Sequence, residues 1–427
     1  MTGGFGHSMN TMYSKPIPLE IVAAGLVLAA SAVRADWPSF QGPTGNSVAD
    51  ARDLMKAWPP GGPKLVWSLP IGPGFAAPVV QEGNVYLLDR KAGEQDILRC
   101  VGLESGKEVW RYAYDAPGNI DYAGSRTQPA VNDDRVFTVG TFGHIHCISK
   151  TTQNPVWVRK LTDDFKVGQP GWAFSQSPLL YEDLVIVAPV AKDAGVVAYR
   201  QDDGEIAWQS DPLEGGAGYS SPILATIGNV DQVVVTTTAG LTGVDAKNGT
   251  LLWHNGDWNC RIPISSPLPI GDGRIFITGG YGAGAAMISI HKHGKSFHAE
   301  TQFKTDKCQG QIQPPVLYKD HLYLNGNDKG KNIGFVCMDL DGNVKWNTGT
   351  SPGFDWGGTL LADDMLYVVD GNAGDLCMVL PKPDAYAEAG RAHFLEGGQI
   401  WGYISLSDGK LLVRDQLKLV CVDVGNP

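Results

Sequence analysis

From residue 65 onward, apolar and polar positions alternate in short runs, and each run stops at a turn rich in Gly, Asp or Asn. Val136-Phe-Thr-Val139 and Leu322-Tyr-Leu324 are typical; alternation of this kind predicts antiparallel strands rather than helices. The runs recur as a unit: a Ser-Pro or Gln-Pro start, an apolar strand, an acidic or Gly turn, two more strands, a Gly turn and a closing Trp. The unit from Ser220-Ser221-Pro222 through Asp231-Gln-Val-Val-Val-Thr-Thr237 to Gly240-Leu-Thr-Gly-Val-Asp245-Ala-Lys-Asn-Gly249-Thr-Leu-Leu-Trp253 shows it best. Others start at Pro78, Pro129, Pro178, Pro267 and Pro315. The closing residues are Trp110, Trp157, Trp208, Trp253 and Trp346, with Trp67 ahead of the first and Phe303 where one Trp is missing.

Four strands and one Trp in a period of forty-odd residues predict propeller blades, because a lone four-stranded sheet cannot bury both faces without neighbours. The Trp would supply contact area between blades. A seventh unit runs from Thr359 to Phe394, and three strands of an eighth lie around Gln399–Ser405, Lys410–Arg414 and Lys418–Val422. Leu65-Val-Trp67-Ser-Leu69 supplies the missing fourth strand, so the two chain ends join in one blade and no sheet edge is left open. The prediction is an all-β, eight-bladed β-propeller with four antiparallel strands per blade. Seven blades is the alternative, if the unit carrying the insert Pro381-Lys-Pro-Asp-Ala-Tyr-Ala-Glu-Ala-Gly390 is not a blade.

Composition agrees with this picture. Of 427 residues, 54 are Gly and 27 Pro, which argues against long helices, while 12 Trp and 14 Tyr can fill a core. A net charge of −11 leaves no basic surface for phosphate backbones and excludes nucleic acid as a partner class. Ahead of the repeat, Lys15 precedes an apolar run from Ile21 to Val33, followed by Arg34-Ala35 and then Asp36-Trp37. The run is too short for a bilayer span and ends in small residues, so it reads as a signal peptide (1–35) cleaved after Ala35. No Cys follows it to carry a lipid. The expected mature chain is exported, soluble, monomeric and without a transmembrane segment, with an extension over 36–64 and the propeller over 65–427.

Gly240 to Trp253, and Leu103-Glu-Ser-Gly106-Lys-Glu-Val-Trp110, resemble the repeat of pyrroloquinoline-quinone (PQQ)-like propellers. The opening Trp37-Pro-Ser-Phe40-Gln-Gly42-Pro43-Thr-Gly45 and the ending Gly409-Lys-Leu-Leu-Val-Arg414-Asp-Gln-Leu-Lys-Leu-Val-Cys421-Val-Asp423 resemble exported bacterial members grouped with the BamB-type outer-membrane assembly factor. That resemblance implies a scaffold in the cell envelope, and it adds Arg414 to the residues of interest. Quinoprotein dehydrogenases share the fold and would imply PQQ, calcium and oxidation of an alcohol or sugar. Their adjacent Cys-Cys pair is missing here. Because one scaffold hosts unrelated functions, the repeat speaks for fold rather than activity.

Most chemistry-bearing clusters are accounted for by the repeat. Cys100, Cys147, Cys337, Cys377 and Cys421 fall in third strands, where small buried residues belong, whereas Cys260 and Cys308 occupy matching loops of adjacent blades and form a candidate disulfide. His144-Ile-His146 and His291-Lys-His293 lack the further ligand a metal site needs, and Asp339-Leu-Asp341-Gly342-Asn343 lacks the Glu that closes a calcium loop at its twelfth position. Gly349-Thr-Ser351-Pro352-Gly353 and Gly280-Tyr-Gly282-Ala-Gly284-Ala285 join strands to strands and so match the nucleophile elbow and the dinucleotide loop in letters alone. No catalytic residue and no metal ligand is assigned.

The loops leading into each first strand converge on the mouth of the central channel. They carry Phe75, Arg126, Trp172, Tyr219, Arg261, Gln311, Trp356 and Trp401, residue types that carry binding energy when desolvated. The expected function is a non-catalytic envelope scaffold without cofactor that offers these loops to a protein or carbohydrate. The alternative is a PQQ- and calcium-dependent alcohol or sugar dehydrogenase.

Overall fold

The computed structural model describes residues 1–6, 36–91, 93–396 and 398–426. The apolar run and cleavage point of the expected signal peptide lie outside the described residues. Eight sheets follow one another along the chain, each with four antiparallel strands. Among the described residues the one helix is a single turn, Leu161–Asp164. Blades 1 to 7 span 79–118, 130–160, 179–209, 223–255, 268–305, 316–347 and 359–393. Blade 8 takes three strands from 405–423 and its outermost from Lys64–Pro70, which pairs antiparallel with Lys418–Asp423. The unit with the insert is a complete blade, so the count is eight.

The hydrophobic core lies between blades rather than within them. Six of its seven clusters each join two successive blades, and the seventh joins blades 7, 8 and 1 to the segment ahead of Lys64. A blade alone would leave these faces wet, at a cost of roughly 1.5–3 kcal/mol for each Val, Leu or Ile exposed.

The closing Trp explains the repeat. In blades 8, 1, 2 and 6 it stands opposite a buried Cys: Trp67 and Cys421, Trp110 and Cys100, Trp157 and Cys147, Trp346 and Cys337. Ala198 and Gly243 take the place of Cys opposite Trp208 and Trp253. A bulge adjoins each of these pairs, leaving one extra residue to re-aim the indole. Trp67 Nε1 donates to Leu103 O and Trp157 Nε1 to Gln201 O, each on the next blade. A turn Gly of that blade lies under the ring: Gly106 has φ 63° and Gly204 φ 69°, and a Cβ would come within 2.6 Å and 2.5 Å of the indoles. Phe303 occupies the position in blade 5, opposite Met287 and against Gly342.

Blade 7 has no such residue, since Gly390 follows its bulge. The ring of Trp58 fills the gap, 2.9 Å from where a Cβ on Gly390 would be. The stretch ahead of Lys64 thus completes the propeller instead of trailing from it. Trp37 bridges to Val80 of blade 1, Val131 N of blade 2 donates to Pro38 O, and Val48–Ala49 adds a parallel fifth strand to blade 7. Leu54 bridges to Gly425 and its amide donates to Asp363 Oδ2.

Candidate functional site

In each blade the first strand runs away from one end of the ring and the second returns to it. Loops leading into first strands and turns joining second to third strands therefore share that end. Together they enclose a cavity of about 180 Å³ lined by Phe75, Tyr122, Arg126, Trp172, Ser175, Tyr219, Ile264, Tyr281, Gln311, Ile312, Lys329, Trp356, Trp401 and Tyr403.

The wall is an aromatic chain. Phe75 stacks on Trp401 with ring centres 5.4 Å apart, and Trp401 meets Trp356 edge-on at 5.0 Å. Tyr122 touches both Trp401 and Trp172, and Trp172 lies 5.3 Å from Tyr219. Hydrogen bonds fix the rings. Trp401 Nε1 donates to Asp355 Oδ2 at 3.0 Å, Trp356 Nε1 to Asn327 O, and Gln313 Nε2 to the carbonyls of both Trp. Burial raises the Asp355 carboxyl above its ordinary range. Behind the wall, the ring of Phe40 meets Tyr403 at 5.1 Å.

Arg126 lies against the aromatic face, with its guanidinium 5.4 Å from the Phe75 ring centre. Its two Nη atoms donate to the carbonyls of Asp121, Tyr122 and Gly124, and burial lowers its pKa to about 10. Gly124, at φ 113°, permits this approach: a Cβ there would meet Pro73 O at 2.2 Å, where Gly74 bridges Ser125. Lys329 contributes its backbone amide to Gln311 Oε1 and Asp328 Oδ1 and carries an exposed side chain.

Seven of the nine singled-out residues meet in this cavity: Phe75, Arg126, Trp172, Tyr219, Gln311, Trp356 and Trp401. Arg261 stands outside the lining, its guanidinium over the ring of Tyr281. Arg414 is fully buried and donates to the carbonyls of Gly72, Ala76 and Asp415, so it braces the loop that carries Phe75. Sequence reasoning missed Tyr281 and Lys329, which lie in second-to-third strand turns. Antiparallel order places those turns at the same end as the lead-in loops, a signal that was available.

Elsewhere the side chains do structural work. Cys260 and Cys308, a candidate disulfide, are free thiols in different core clusters: Cys260 donates to Gly280 O, and Cys308 lies against Met338. The pairing is thus not formed; each thiol packs as a small apolar group. His146 stacks on Tyr114 at 3.9 Å and shares a hydrogen bond with Tyr112, and burial pushes its pKa down to about 3. His291 pairs with Glu300, and Asp339 accepts from the amides of its own turn. Among the described residues no group of three or more His, Cys, Asp or Glu is arranged to hold a metal.

A calcium-bound quinone needs carboxylate or amide oxygens around the ion and, in quinoproteins of this fold, a sulfur platform. The wall offers no carboxylate and no Cys, and its one side-chain amide oxygen, Gln311 Oε1, already accepts from the Lys329 amide, so the donor set does not fit that group.

A family profile described as outer membrane protein assembly factor BamB matches residues 93–348. A curated relative, the quinoprotein alcohol dehydrogenase PedH of Pseudomonas putida, is 25% identical over 150 residues, which cover 34% of this chain and 24% of that protein. The chain thus spans about a quarter of that relative's length. Among solved structures, BamB from Moraxella catarrhalis aligns with TM-score 0.58 and 13% identity over 84% of this chain and 97% of that one. The quinohemoprotein alcohol dehydrogenase from Comamonas testosteroni aligns with TM-score 0.61 and 14% identity over 92% and 81%. These likenesses establish the fold alone.

Proposed function

The chain belongs to the PQQ-repeat family described as outer membrane protein assembly factor BamB, and from that premise we propose that it is an exported, non-catalytic propeller that binds an envelope partner at the channel mouth. The observation that supports this reading is the cavity wall. Aromatic rings and an Arg–aromatic contact suit recognition, and the wall holds no nucleophile activated by a neighbouring base and no carboxylate for acid–base chemistry. The apolar leader in the sequence supports export.

The test has two arms, one on the purified chain and one in cells. Titration with PQQ and Ca²⁺, followed by dye-linked oxidation of alcohols and sugars, is expected to give no turnover. A photo-crosslinker placed at Ser175 and activated in intact cells is expected to capture an envelope component. Stoichiometric quinone binding with turnover would overturn the scaffold reading and favour the dehydrogenase.

A further inference from the structure

The cavity pairs its rings with charge of one sign. Arg126 and Lys329 line it, Arg261 stands beside it over Tyr281, and none of the three forms an ion pair among the described residues. On a chain of net charge −11, with most of its described Arg residues paired to carboxylates, Arg126 in the lining and Arg261 beside it are exceptions, and Lys329 adds a third positive charge. The carboxylates adjoining the wall are already engaged. Asp328 accepts from the amides of Tyr281, Gly282 and Lys329, and Asp355 accepts from the indole of Trp401. An aromatic cage so equipped repels an ammonium ligand, although aromatic faces alone would attract one. Its complement is an anion on a ring: the ring lies against Trp401, Trp172 and Tyr219, and the acid group faces Arg126 and Lys329.

Resting on the reading of this mouth as the binding site, we propose that the cavity takes a ring that bears a carboxylate, the chemistry shared by aromatic acids and acidic sugars. Arg126 and Lys329 select the charge, and the aromatic wall selects the ring.

Three naphthalene probes that differ only in charge test this: naphthoate, naphthylmethanol and naphthylmethylammonium, each titrated by calorimetry at low salt. Naphthoate is expected to bind at least about tenfold more tightly than the ammonium, since one charge-assisted hydrogen bond is worth that much. The preference should shrink at high ionic strength. Lys329→Glu, on an exposed side chain, is expected to abolish or reverse the preference, and Arg126→Gln to weaken it. Equal affinity for all three probes, or tightest binding of the ammonium, overturns the proposal. So does failure of every probe to bind. Competition then separates the sources: glucuronate displacing naphthoate assigns an acidic sugar, and no displacement assigns an aromatic acid. If the probes fail while crosslinking at Ser175 still captures a partner, the anion proposal falls and the scaffold reading stands. If they bind with the expected order and nothing crosslinks, the reverse holds.

Discussion

Two populations of tryptophan divide this molecule. The blade Trp residues share one register, with a small residue opposite and a bulge beside, and at Trp67 and Trp157 the neighbouring blade closes the socket with a carbonyl and a Gly. The mouth residues Trp172, Trp356 and Trp401 have no common socket. Each rests on other aromatic rings, and their partners, Asp355 and Asn327 among them, come from different blades. One population is explained by what its neighbours need for packing. The other is over-provided for packing alone, and that surplus marks a site.

Removing a socketed ring should have the largest effect. Trp157→Ala leaves a void between blades 2 and 3 and is expected to cost about 3–5 kcal/mol in urea unfolding. Trp58→Ala is expected to cost less, about 2–4 kcal/mol, because that ring fills its socket from outside the blade. Gly390→Trp should destabilise the natural chain, whose socket is occupied, yet restore stability to Trp58→Ala; failure of that rescue would refute the substitution of one ring for another. A third effect depends on pH. His146 has its pKa lowered from 6.5 to about 3, so the folded state binds its proton less readily than the unfolded state. Stability from this group is complete above pH 6.5 and falls as pH drops toward 3, by up to about 1.4 kcal/mol per pH unit. His146→Gln should flatten that slope. The smallest change belongs to the mouth: Trp172→Ala is expected to alter stability by less than about 1 kcal/mol while weakening naphthoate binding by about tenfold or more. A large loss of stability there would merge the two populations into one.

The ring was legible because packing between blades repeats itself in the letters. A Pro, an alternating strand and a Trp recur in most blades, and even Phe303 keeps the Trp position. What escaped was whatever does not repeat. Val48–Ala49 is two residues long and has no periodicity to read, and Trp58 belongs to a blade from which it is distant in sequence. At the mouth, lead-in loops were found through their position ahead of each first strand, so Phe75, Trp172 and Trp401 came into view. Tyr281 and Lys329 did not, because they follow second strands and only the direction of the chain in space brings them back. Arg414 was found by resemblance, and its surroundings show a brace instead of a binding group.

The strand Lys64–Pro70 pairs with Lys418–Asp423, from opposite ends of the chain. During synthesis the first of these strands emerges with nothing to pair against. At roughly 5–20 residues per second it waits for tens of seconds before its partner is made, with an unpaired edge on view throughout. Closure of the ring therefore waits until the eighth blade has been made, and it carries the entropic penalty of bringing distant segments together late.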